Sequence, residues 1–176
     1  MAIRKTTQLG EPVLRETTKN VDTYDDVHTQ SVITDLVDTM RDVDLVGMAA
    51  PQIGEPVRIF VVEVRETKYR NKGTQALKVF INPTITKYSD ETQLGYEGCG
   101  SVALGGLFGE VKRAKEVTVE YTNQEGEHLT ETFSGFIAVV IQHETDHING
   151  IEFTDISDPK TFMGREYYIE HYRAGK

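Results

Sequence analysis

Near the end of an apolar run, Phe136 to Ile141, stands Gln142-His143-Glu144-Thr145-Asp146-His147. On a helix, residues four apart share one face, so His143 and His147 can point at the same ion. Glu144 would sit beside that ion without being needed as a ligand. Two imidazoles with an adjacent carboxylate are the residue types for activating a water on a metal and taking its proton. The plain alternative is a helix that merely carries two histidines, exposed or satisfied in the core.

A catalytic metal needs a third protein ligand and one open position. The extended pattern H-E-x-x-H-x-x-G-x-x-H finds its glycine at Gly150, but its last position is Phe153, so that completion fails. Glu166 and Glu170 lie downstream as a second option. The third is Cys99, within Glu97-Gly98-Cys99-Gly100-Ser101. Flanking glycines let the backbone approach an ion closely, and a thiolate beside a cation loses its proton readily, which favours Cys99. A nucleophilic pair of Cys99 with one histidine would leave Glu144 and the second histidine idle. In Val46-Gly47-Met48-Ala49-Ala50-Pro51-Gln52-Ile53-Gly54 the small residues suggest tight packing against a ligand or the metal helix, and Gln52 could offer an amide N–H. The bland reading of that stretch is a helix-to-strand connection.

These residues need elements to place them. Thr23 and Asp26 signal a helix start, and Val32, Ile33, Leu36, Val37, Met40 and Val43 follow at helical spacing, with an end near Asp44. Val57 to Val64 reads as a buried strand, and Ala76 to Ile81 as a second, stopped by Asn82-Pro83 and resumed at Ile85 to Tyr88. Between them Asn71-Lys72-Gly73 reads as a turn. Gly95 to Gly109 holds six of the 15 glycines and is expected to be a loop, or a backbone that comes close to something. Val111 to Tyr121 reads as one long strand, turned at Asn123-Gln124-Glu125-Gly126 into Leu129 to Phe133. The metal helix is expected from Gly135 to Ile148, closed by Asn149-Gly150. Ile151 and Phe153 suggest a short strand, and Asp158-Pro159 a last helix packed through Phe162, Tyr168, Ile169 and Tyr172. The fold class is α+β: antiparallel or mixed sheets around a central metal-binding helix, with an N-terminal and a C-terminal helix.

The chain's 176 residues, 38% hydrophobic and 27% charged, suit one globular domain over 1–176. A net charge of -9 argues against a nucleic-acid surface, and no apolar stretch is long enough to span a bilayer. No secretory signal follows Met1-Ala2-Ile3-Arg4-Lys5, and the single cysteine suits a reducing, cytoplasmic setting. A processed organelle form would read the same way.

Together the three segments resemble the peptide deformylase family, whose pattern is roughly G-x-G-[LM]-A-A-x-Q, then E-G-C-L-S, then Q-H-E-x-D-H. The matches are Gly47-Met48-Ala49-Ala50-Pro51-Gln52, Glu97-Gly98-Cys99-Gly100-Ser101 and Gln142 to His147, in order and at agreeing spacing. Gly10-Glu11-Pro12-Val13-Leu14-Arg15 and Arg113 extend the likeness over nearly the whole chain. The resemblance implies Cys99, His143 and His147 as ligands of one divalent metal, ferrous iron foremost, with zinc, nickel or cobalt as other occupants. It implies hydrolysis of the N-formyl group from formyl-methionine on newly made polypeptides, releasing formate. Glu144 would be the general base, and Gln52 with the Gly100 N–H would hold the oxyanion. Val46, Gly47, Glu97, Phe136, Val139 and Val140 would contact substrate. Rival readings are a metallopeptidase with a downstream glutamate ligand and a formyl-peptide-binding relative without turnover.

The chain departs from the pattern at Leu45 (a glycine in the family), Gly100 (leucine) and Ala103 (proline). Gly100 keeps its N–H but lacks a side chain at the site. Leu107 or Phe108, in the run Leu104-Gly105-Gly106-Leu107-Phe108-Gly109, is expected to fold back over that gap.

Overall fold

The computed structural model describes residues 2–66 and 74–173. The turn expected at Asn71-Lys72-Gly73 lies outside them. Among the described residues are four short or long α-helices and two antiparallel sheets, the α+β class expected.

Helix α1 (Val27–Asp42) buries Val32, Ile33, Leu36, Val37 and Met40. Its cap is Asp26, whose carboxylate accepts from the His28 and Thr29 N–H groups, so Thr23 lies a turn outside. Val43, counted in the stripe, is the C-cap and is exposed. Strands β1 (Gly47–Ala49), β2 (Ile59–Val64), β3 (Gln75–Tyr88), β6 (Glu116–Thr122) and β7 (His128–Ser134) form a five-stranded sheet in the order β1-β2-β3-β6-β7.

The uninterrupted apolar run of β2 follows from burial on both faces. Side chains alternate along a strand, so Ile59 and Val61 join Val79 and Ile81 under α1. Phe60, Val62 and Phe80 face the other way, with Ala138, Val140, Ile141 and Ile148 of α2 (Gly135–Ile148). Phe80 stacks between Phe60 and Tyr121 at 4.6 and 4.4 Å.

Asn82 does not end β3. It takes φ 52, a left-handed backbone that asparagine tolerates, and its side chain bonds the Val21 N–H and carbonyl. The strand continues past the resulting irregularity to Tyr88.

The glycine-rich stretch is strand at both ends and, as expected, a loop between them, residues 99–106, with a short 3-10 turn at Ala103–Gly105. Strands β4 (Thr92–Gly98) and β5 (Leu107–Ala114) pair along their length, and β8 (Met163–Gly164) adds a short edge. Two of its strand glycines lie under rings: a Cβ on Gly98 would come within 2.7 Å of Phe108, and one on Gly109 within 2.7 Å of Phe162. The long strand expected from Val111 to Tyr121 is β5 plus β6, in different sheets. At the break, Lys115 donates its N–H to the Glu91 carbonyl and accepts from the Gly135 N–H.

Past α2, Phe153 opens a helical turn, α3 (Phe153–Ile156), where a strand was expected. The last helix begins at Arg165, as α4 (Arg165–Tyr168) continued by a wider turn over Ile169–Arg173, so Phe162 precedes it. Helix α2 thus has the five-stranded sheet on one side and β4–β5 on the other. No helix among the described residues is long and apolar enough to cross a membrane.

Candidate metal centre

Helix α2 is tied down at the motif itself. Gln142 accepts from the Ala114 N–H and donates to the Ala114 and Ala138 carbonyls, docking α2 onto the end of β5. The His143 and His147 rings then lie edge to face at 4.9 Å. From β4, the backbone turns after Gly98 and presents Cys99 to them. The Cys99 Sγ is 3.2 Å from His147 Nε2, and ligand atoms from Cys99, His143 and His147 all lie within 4.8 Å of one another.

The other ring nitrogens face carboxylates. His143 Nδ1 is 2.8 Å from Glu97 Oε2, and His147 Nδ1 is 3.3 Å from Glu152 Oε1. Each Nδ1 proton therefore has an acceptor beside it, which leaves the two Nε2 atoms for a shared ion. Glu97 is itself held by Arg113 at 2.8 and 2.9 Å, and Arg113 also bonds Asp146 at 2.6 Å. Burial would raise the Glu97 pKa, but Arg113 and His143 outweigh it and hold the group at about 2.

Burial opposes charge on Cys99 and on both histidines, yet their mutual attraction prevails. The nearby His147 and His143 charges bring the thiol down to about 6. Bonds to Cys99 and Glu97 raise His143 to about 10, and the thiolate raises His147 well above its ordinary value. The shifts run toward a thiolate beside protonated imidazoles. Those are the protons a metal displaces. One thiolate and two imidazoles suit zinc or iron-group ions and not magnesium or calcium, so the residues present fit a single transition metal.

Glu144 stands beside the cluster, 3% exposed, with Oε2 unpartnered. Burial pushes its pKa up to about 7, in the range of a working base at neutral pH. The absence of a side chain at Gly47 makes room for it: a Cβ there would lie 2.5 Å from Glu144 Oε1 and 2.9 Å from Val140. Gln52 is 1% exposed, and its Oε1 accepts from the Ala49 N–H at 2.8 Å. That bond fixes which end is which, so Nε2 is turned to Cys99 Sγ and Ser101 Oγ, 3.3 Å from each.

Glu97 does not open onto a substrate space, because Arg113 and His143 occupy both its oxygens. Val140 is 5% exposed and lies in the core. Phe136 is exposed and Val139 half-buried, one helical turn apart and leading to His143; Val46 is half-buried opposite α2.

The space beside Gly100 is taken by neither Leu107 nor Phe108. Leu107 packs on Cys99, Val102, Val111 and Phe153, while Phe108 stacks on Tyr168 at 4.0 Å. Leu45 reaches it: a Cβ on Gly100 would lie 3.1 Å from Leu45 Cδ1. The two departures from the motif pattern therefore meet, leucine at 45 filling space that a leucine at 100 would need. Glu166 and Glu170 are exposed, and neither belongs to the ligand cluster. Sequence reasoning did not find Glu152, Ser101 or Asp146 as neighbours of the site. Asp146 carried a signal, three residues past His143 on the same helical face, and so did Ser101, the last residue of the cysteine motif; Glu152 carried none.

The comparisons with known proteins agree among themselves. The family model described as polypeptide deformylase matches residues 3–162. A peptide deformylase of Pseudothermotoga lettingae is 42% identical over 175 residues, covering 99% of this chain and 95% of that protein. One of Thermotoga maritima is 36% identical over 168 residues, covering 95% of each. The Met-Ala-Ser-bound crystal structure of a class I type b peptide deformylase from Acinetobacter baumannii superposes with a TM-score of 0.82 at 32% identity. It covers 88% of this chain and 98% of that one. The crystal structure of the Thermotoga maritima protein gives 0.78 at 35% identity, covering 90% and 100%.

Proposed function

The chain belongs to the polypeptide deformylase family, and from that premise we propose that Cys99, His143 and His147 hold one divalent metal, Fe2+, with Glu144 as the proton carrier. The reaction is removal of the N-formyl group from nascent peptides, in which water adds, the C–N bond breaks, and formate and a free amine leave. The observation that carries the site assignment is the meeting of three ligand atoms within 4.8 Å beside a buried carboxylate with a free oxygen.

A bound divalent ion would supply Lewis acidity, polarising the formyl carbonyl and acidifying a water. The chain's own groups do the rest. Glu144 Oε2, with no partner, takes the proton of the attacking water and gives it to the departing methionine nitrogen. Gln52 Nε2, aimed at the cluster by the Ala49 bond, donates to the oxygen that becomes negative, and the Gly100 N–H donates beside it. One such donor is worth roughly 3 kcal/mol of barrier. Methionine lies along Val46, Gly47, Phe136 and Val139, with Val140 behind them as the floor; Glu97 acts by orienting His143. The Met-Ala-Ser peptide bound by the Acinetobacter baumannii relative begins with methionine, which supports that preference.

The same proposal takes residues 1–176 as one catalytic domain acting in the cytoplasm on formyl-methionyl polypeptides, without nucleic acid or membrane as partner. Its support is the -9 charge and the reduced thiol that the site requires. The test is anaerobic purification with metal analysis, then formate release from a formyl-Met peptide. The expected result is about one metal per chain, iron when oxygen is excluded. Glu144→Gln should keep the metal and lose activity by roughly 10²–10⁴-fold. A metal-loaded protein that releases no formate overturns the assignment.

A further inference from the structure

Glu152 is a fully buried carboxylate, 0% exposed, and its Oε2 has no hydrogen-bond partner. Such a group is costly to keep. Its counterpart Glu97 is neutralised by a bidentate Arg113. Glu152 has no such cation: Arg15, whose charge it feels, is bonded to Asp155 instead. The one charged or polar side chain paired with Glu152 among the described residues is His147, Nδ1 to Oε1 at 3.3 Å.

The backbone keeps the side chain there. The Glu152 N–H donates to Asp155 Oδ2 at 2.8 Å, and Asp155 is anchored by Arg15. The turn before it is fixed by Gly150, whose φ is 75 and whose Cα lies against the Arg15 carbonyl.

We propose that Glu152 is a positioning residue for His147: it holds the Nδ1 proton, and so keeps Nε2 turned to Cys99 as a metal donor. The inference rests on the metal-site reading above.

The contact with His147 gives a test which a merely structural role would not pass. Zn2+ affinity is measured by chelator competition for the full chain and for Glu152→Leu and Glu152→Gln, with thermal melting of each metal-free protein. Glu152→Leu is expected to weaken Zn2+ binding by roughly 10–100-fold, more than any change in the melting temperature of its metal-free form accounts for. Glu152→Gln, of equal volume and able to accept from Nδ1–H, should lose less affinity, and it serves if the leucine variant does not fold. Unchanged affinity in either variant overturns the inference. So does a loss of affinity that only tracks a lower metal-free melting temperature. If the parent chain itself binds no Zn2+, the metal-site reading fails instead.

Discussion

Gln52 has one oxygen and one nitrogen to place, and the Ala49 N–H claims the oxygen. The nitrogen is thereby committed to the sulfur side. Glu144 is confined in the same way, with Oε1 lodged against Gly47 and Oε2 left without a partner. Gly47→Ala would put a methyl carbon 2.5 Å from Oε1 and move that carboxylate. The expected outcome is a fall in kcat by about 10²-fold or more with metal content retained, since a misplaced base loses most of its effect. Steady-state kinetics with metal analysis checks it. Leu45 and Gly100 behave as a couple. Gly100→Leu alone should overfill the space beside Leu45 and lower kcat/KM, and adding Leu45→Ala should restore part of it. The two changes in free energy then do not add, and a double-mutant cycle measures the coupling.

At the scale of elements, the site depends on how α2 ends and on what meets it. Asn149-Gly150 terminates the helix, and Gly150 does so in a left-handed conformation with its Cα pressed on the Arg15 carbonyl. Gly150→Ala meets two penalties, positive φ and a Cβ 2.7 Å from a backbone oxygen that cannot rotate away. A loss of about 1–3 kcal/mol is expected, read by urea unfolding. Because Glu152 lies two residues on, metal affinity should fall with it. Gly10, by contrast, has positive φ and open space around it, so Gly10→Ala should cost less than Gly150→Ala in the same assay.

Across the whole molecule, what could be read from the sequence was what repeats or pairs locally. The α1 stripe, the doubly buried β2, the Asn123–Gly126 turn and the bounds of α2 all follow from periodicity or turn chemistry. The ligand trio was legible because histidines four apart declare a face and glycines around a cysteine declare a close approach. The β4–β5 pair was not, because its glycines are covered by Phe108 and Phe162 from distant positions. Glu152 and the Leu45–Gly100 contact were hidden for the same reason: each depends on a tertiary neighbour. Long-range ties of another kind predict how the molecule responds to acid. Glu63 is held by Arg41, joining β2 to α1, and Glu131 by Lys78 and the Tyr121 hydroxyl, joining β7 to β3 and β6. These bonds put both carboxylates below their ordinary 4.5. A group with a depressed folded-state pKa stabilises fully above its unfolded value and loses that contribution as pH falls through the folded one. The contribution of these two pairs is therefore expected to be level near neutrality and to decline as pH drops below about 4.5. Glu63→Gln and Glu131→Gln should each melt lower than the parent at pH 7, modestly because the pairs are partly exposed. As acid protonates the parent's own carboxylates, the gap should close, and melting curves taken across that range would show it. A gap that persists or widens in acid would mean that packing at these positions, and not the charge, holds the helix and strands together.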